Sequence, residues 1–177
     1  MKSKQLNGRV IRMAVASALA FGTSALGVNS YAAGSTSANL NVTATVAPYC
    51  KISTAPLSFL PYDPIQANAT AALNGTGEVR VTCTNGTTGA TITLDQGANP
   101  KAGSNAALPQ RQMANGANRL SYALFSDPAR TTVWSSSGVS HNGTGALATY
   151  TVYGSVDAGQ NVPVGDYSDT VVATISF

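Results

Sequence analysis

Residues 162–177 (VPVGDYSDTVVATISF) alternate apolar and polar side chains up to the carboxyl end, with Phe177 last. A period of two marks a β-strand with one buried face. It puts Tyr167, Val171, Ala173, Ile175 and Phe177 on one side and Ser168, Thr170, Thr174 and Ser176 on the other, with Asp169 and Val172 breaking the pattern. No partner strand is expected to follow. A strand leaves a row of N–H and C=O groups unpaired unless another lies alongside. Either this strand is central in its own sheet, or it needs a strand from elsewhere.

The opposite end changes the balance. Residues 1–32 combine a basic opening (Lys2, Lys4, Arg9, Arg12), an apolar stretch from Met13 to about Leu26, and the small-x-small site Ser30-Tyr31-Ala32. This pattern predicts a secretory signal peptide cleaved after Ala32. The apolar run is too short and too weakly hydrophobic for a membrane span, so no direct membrane insertion is expected. Four of the ten basic residues lie in the signal, leaving six against seven acidic groups in the exported chain. A surface built to neutralise phosphates is not supported, and nucleic acid is not an expected partner.

After the signal, residues 37–46 (SANLNVTATV) alternate without error. Ala38, Leu40, Val42, Ala44 and Val46 share one face, and Asn39, Asn41, Thr43 and Thr45 the other. Such a segment either starts the domain's own sandwich or acts as a donor strand that completes a neighbour's open sheet. Burying Leu40, Val42 and Val46 contributes on the order of 5 kcal/mol, with ladder hydrogen bonds adding about 1 kcal/mol each.

The body reads as an all-β sandwich. Strands are predicted over 78–83, 90–95, 120–126, 131–134, 147–156 and 168–177, with a weaker one near 57–60, and helical periodicity is absent. Asn74-Gly75, Asn85-Gly86, Asn115-Gly116 and Asn142-Gly143 read as tight turns. Residues 96–118 form a long Gly-, Asn- and Ala-rich connection whose Lys101 and Arg111, with the adjacent Arg119, read as solvated loop charges. Cys50 and Cys83, the only cysteines, are expected to pair in an exported chain. Closing that loop would contribute about 3–4 kcal/mol on the chain-entropy account.

Catalytic groups do not converge. His141 sits in a turn-like Ser-His-Asn-Gly-Thr run and reads as a solvated loop residue. The aspartates mostly lie beside Pro, Gly or Ser, where they cap turns. Phosphate loops, nucleophile elbows and paired carboxylates are lacking. Two cysteines and one histidine fall short of a metal site. No enzyme activity, cofactor or metal is expected.

Several runs, taken together, resemble one family. They are Cys50, Val81-Thr82-Cys83, Arg111 with Met113, 120–127 (LSYALFSD), Thr132-Val133-Trp134, 150–154 (YTVYG) and 165–170 (GDYSDT) with Phe177. In order and spacing the chain resembles the spore coat U domain, which is also the subunit domain of archaic chaperone-usher pili. The resemblance implies an incomplete immunoglobulin-like sandwich. A periplasmic chaperone, and then the amino-terminal strand of the next subunit, would lend its missing strand. An outer-membrane usher would assemble subunits into a surface pilus for adhesion and biofilm formation. By that analogy Ala38, Leu40, Val42, Ala44 and Val46 are the donor row, and Tyr167, Val171, Ala173, Ile175 and Phe177 belong to the accepting strand.

The implied division is a signal peptide over 1–32, a donor segment over 33–47 and a pilin domain over 48–177. Only 17 residues separate Ala33 from Cys50, too few for both a full donor strand and a full first strand, so either the donor is compact or the domain's own first strand lies largely after Pro48. No room remains for a receptor-binding domain, which points to a rod or minor subunit. The competing readings are a free-standing coat or surface protein with a self-complete sandwich, and a carbohydrate-binding sandwich. The latter would display clustered aromatics, whereas Trp134 and the tyrosines lie mostly on predicted strands.

Overall fold

A computed structural model describes residues 33–177, and the signal peptide expected over 1–32 lies outside the described residues. Two units partition the chain, Met1–Thr43 and Ala44–Phe177. In the first, residues 33–43 are exposed and form no strand. The second holds eight strands: β1 (Cys50–Ala55), β2 (Leu73–Cys83), β3 (Ala90–Leu94), β4 (Arg111–Asn115), β5 (Asn118–Phe125), β6 (Val139–His141), β7 (Ala148–Val156) and β8 (Ala173–Ser176).

Two antiparallel sheets result, a five-stranded one ordered β1-β2-β7-β5-β4 and a three-stranded one ordered β6-β3-β8. Alternation decides what each buries. Val79, Val81 and Cys83 of β2, Leu120, Tyr122 and Leu124 of β5, and Val152 and Val156 of β7 are buried in the five-stranded sheet. Ala90, Ile92 and Leu94 of β3 are buried in the other. Trp134 is buried among them and donates its indole N–H to the Ile92 carbonyl at 2.9 Å. The fold is an all-β, immunoglobulin-like sandwich. Cys50 and Cys83, directly opposed in the β1–β2 register, form a disulfide.

Several local expectations need correcting. Asn74-Gly75 is not a turn but part of β2, where it pairs with Ser155 and Gly154. Asn142-Gly143 has no positive φ, whereas Gly86 and Gly116 do. Gly116, at 57°, makes the two-residue β4–β5 hairpin between Asn115 and Asn118. Residues 96–118 contain β4, hidden because Arg111-Gln-Met-Ala-Asn shows no apolar alternation. Residues 57–60 form no strand, and Pro56 and Pro61, which lack an N–H, bound the run at either end.

Residues 131–134 form no strand either, apart from a single bridge from Val133 to Phe125. The Asp127 carboxylate takes over there, accepting the backbone N–H of Thr132 at 2.6 Å and of Thr131 at 3.1 Å. Those bonds hold its pKa below the ordinary value of 3.8. A depressed pKa means a contribution to stability present above the unfolded value and lost as pH falls through the folded one. Asp127→Ala should therefore lower the melting temperature most above about pH 5, with the gap to wild type shrinking below about pH 4. Thermal melts across that range check it.

His141 is buried, not solvated. Its Nδ1 lies 2.8 Å from the Tyr150 hydroxyl and Nε2 is enclosed without a partner. Arg111 is also buried, at 1% exposure, rather than a loop charge. Its Nε donates to the Asp95 carbonyl at 2.8 Å, and Nη2 to those of Trp134 at 2.8 Å and Leu94 at 3.2 Å. Burial pushes its pKa down, while Tyr122, Asp95 and Asp169 nearby pull it back up.

Candidate functional site: an open groove between the sheets

Five strands spaced by about 4.8 Å present a face roughly two strands wider than three can cover. The uncovered part is a groove of about 1070 Å³. Its floor is the inner face of the larger sheet, including Val79, Leu120, Leu124, Val152 and Val156. One wall is the segment 54–64 and the other is the segment 162–171 leading to Ala173 of β8.

Isolated backbone bonds and side-chain hydrogen bonds, rather than a continuous ladder, hold the second wall. Only Ala173–Ser176 of the strand predicted over 168–177 pairs with β3. Upstream, Ser168 exchanges two backbone bonds with Ala114 beside the hairpin. The Asp169 carboxylate accepts the Tyr122 hydroxyl at 2.7 Å, the Ala98 N–H at 3.0 Å and the Asn99 amide at 3.1 Å. Burial, and after it the bond to Asp169, pushes the Tyr122 phenol well above its ordinary pKa, so it stays a donor. Asp95 secures Val172, accepting its N–H at 2.9 Å while the Val172 carbonyl accepts the Asp95 N–H. Asp169, which breaks the apolar alternation, sits on the half-buried row and anchors the wall.

β8 is an edge strand, paired only with β3 among the described residues. Tyr167, Val171, Ala173 and Ile175 are half-buried and packed on the core, while Ser168, Thr170, Val172, Thr174 and Ser176 are exposed. Tyr167, Val171 and Ala173 line the groove. Phe177 is half exposed, its ring set edge-on to Tyr49 at 6.5 Å. Of the row expected to donate, Leu40 is 87% exposed, Val42 84% and Val46 80%, and Ala38 and Ala44 are exposed as well. Residues 33–49 form no strand, and the domain's own first strand starts at Cys50.

Sequence reasoning missed the first wall. Leu57 and Phe59 pack onto the core, and Phe59 stands edge-on to Tyr122 at 6.3 Å. The clue lay in Pro56, Pro61 and Pro64, which rule out a ladder strand yet bracket bulky apolar residues.

The profile of the Spore Coat Protein U domain matches residues 36–174. "Protein U" of Myxococcus xanthus is 44% identical over 156 residues, covering 82% of this chain and 87% of that protein. A solved chain from the CsuC–CsuE chaperone–tip adhesion subunit pre-assembly complex of the archaic chaperone-usher Csu pili of Acinetobacter baumannii shares the fold. Its TM-score is 0.50 at 24% identity over 75% of this chain, and the match spans only 40% of that solved chain.

Proposed function

The chain belongs to the spore coat protein U domain family, and from that premise we propose that it is a structural subunit of an archaic chaperone-usher surface fibre. The observation that carries this reading is one chain holding both halves of an unmade contact. An apolar groove lies beside an edge strand with a free side, and an alternating segment is exposed on both faces. A strand laid along β8 would satisfy its free N–H and C=O groups, and the row Ala38, Leu40, Val42, Ala44 and Val46 would enter the groove. Donation from one copy to the next is a heterologous contact that does not close, so it makes a filament.

Before assembly the groove needs cover. A periplasmic chaperone would supply it, and an outer-membrane usher would exchange it for the next subunit's segment on the way to the cell surface. The role is mechanical rather than catalytic, serving adhesion and biofilm formation. Expression of the mature chain in an oxidising compartment tests this. Unboiled samples should run as a heat-labile, SDS-resistant ladder that vanishes when residues 33–46 are deleted. A chaperone-independent monomer without a ladder would instead mark a free-standing surface protein.

A further inference from the structure

The five-stranded sheet carries a bare patch on its inner face. Gly75 and Gly77 of β2 take the positions that Val79 and Val81 continue, and Gly154 of β7 is paired with Gly75. Glycine weakens a strand and often marks a place where another group approaches closely. Here the approach comes from Leu57 and Phe59. A Cβ at Gly77 would sit 2.8 Å from the Leu57 Cβ, and one at Gly154 2.8 Å from atoms of both side chains. The proline-bracketed segment thus fills the glycine trough and raises the groove floor at that end.

We infer that Leu57 and Phe59 are specificity-determining residues of the groove, setting an upper limit on the side chain an inserted strand can place over them. The residue meeting that limit is Ala44 of a second copy. This rests on the strand-donation reading above. Every strand pair in both sheets is antiparallel, so a strand added to β8 is taken as antiparallel too. β8 ends at Phe177 beside Tyr49, while upstream Asp169 is bonded to Tyr122, the ring against which Phe59 stands. An antiparallel segment therefore brings its amino-terminal half to the Phe177 end and its carboxyl half to Phe59. That half of the row holds Ala44 and Val46, and of these Ala44 is the side chain small enough to lie over the raised floor.

The test uses the full mature chain, in which each copy carries both the segment and the groove. Ala44→Leu should reduce the heat-labile multimer ladder about tenfold or more, as expected of overpacking a filled site. Adding Phe59→Ala should restore it. Ala38→Leu should be insensitive to Phe59→Ala. Equal responses of the two leucine variants would overturn the assignment while leaving strand donation intact, and a wild-type chain without a ladder would overturn both. Because Phe59→Ala could unfold the domain, a second measurement leaves Phe59 in place. Ala44→Cys combined with Leu60→Cys, at an exposed residue of the same wall, should give reducible cross-linked multimers, whereas Ala38→Cys with Leu60→Cys should not. The reverse pattern would refute the proposed direction.

Discussion

Replacing Arg111 with leucine should lower the unfolding free energy by about 3–5 kcal/mol, as expected when three buried carbonyls lose the one donor they share. Leucine fills much of the volume but donates nothing, so the carbonyls of Leu94, Asp95 and Trp134 lose their shared donor. An orphaned buried acceptor costs about 1–3 kcal/mol. A domain stable by roughly 5–15 kcal/mol would feel such a loss in its denaturation midpoint. Arg111→Lys should fall between, because a single ammonium cannot reproduce a planar fork that reaches three carbonyls. A leucine variant within about 1 kcal/mol of wild type in urea titration would show that the carbonyls find other donors. The effect should extend to the groove wall, since Asp95 in turn holds Val172.

Changing both Leu40 and Val42 to aspartate should abolish multimers without unfolding the monomer. Both residues are more than four-fifths exposed, so the domain loses no packing when they become polar. In a neighbour's groove the same changes forfeit about 1.5–3 kcal/mol of burial apiece. They also bring two carboxylates into an apolar cleft at a cost of several kcal/mol more. At tenfold per 1.4 kcal/mol, the contact weakens by well over a thousandfold. The measurement is the unboiled ladder alongside the thermal melt of the monomer. A persistent ladder would sink strand donation by this segment.

How much of this was legible in the sequence varied with the cause of each element. β2, β3, β5 and β7 each bury one row of apolar side chains, and their alternation located them to within a few residues, apart from the glycine-bearing start of β2. β4 and the three-residue β6 escaped, and β1 was anticipated only as a first strand after Pro48, because β1 and β4 owe their pairing to the disulfide, the hairpin and a buried arginine rather than to an apolar stripe. Asn74-Gly75 has the composition of a turn, yet the β2–β7 ladder and the need for an empty inner face override that local preference. His141 looked solvated because its hydroxyl partner, Tyr150, comes from the other sheet. For the site, the alternating rows at both ends were visible in advance. The proline-bracketed wall was not, because its contacts with Gly75, Gly77 and Gly154 join distant parts of the chain.

The disulfide acquires a different meaning once the chain is regarded as a link under tension. A pull on the amino-terminal segment enters the domain at Cys50, the first residue of β1, an edge strand that could otherwise be peeled from β2 bond by bond. The Cys50–Cys83 bond lies at that point of entry. Load is handed covalently to β2, whose eleven residues are flanked on both sides by β1 and β7. Along that path, failure of the domain requires shearing an interior strand rather than peeling an edge one.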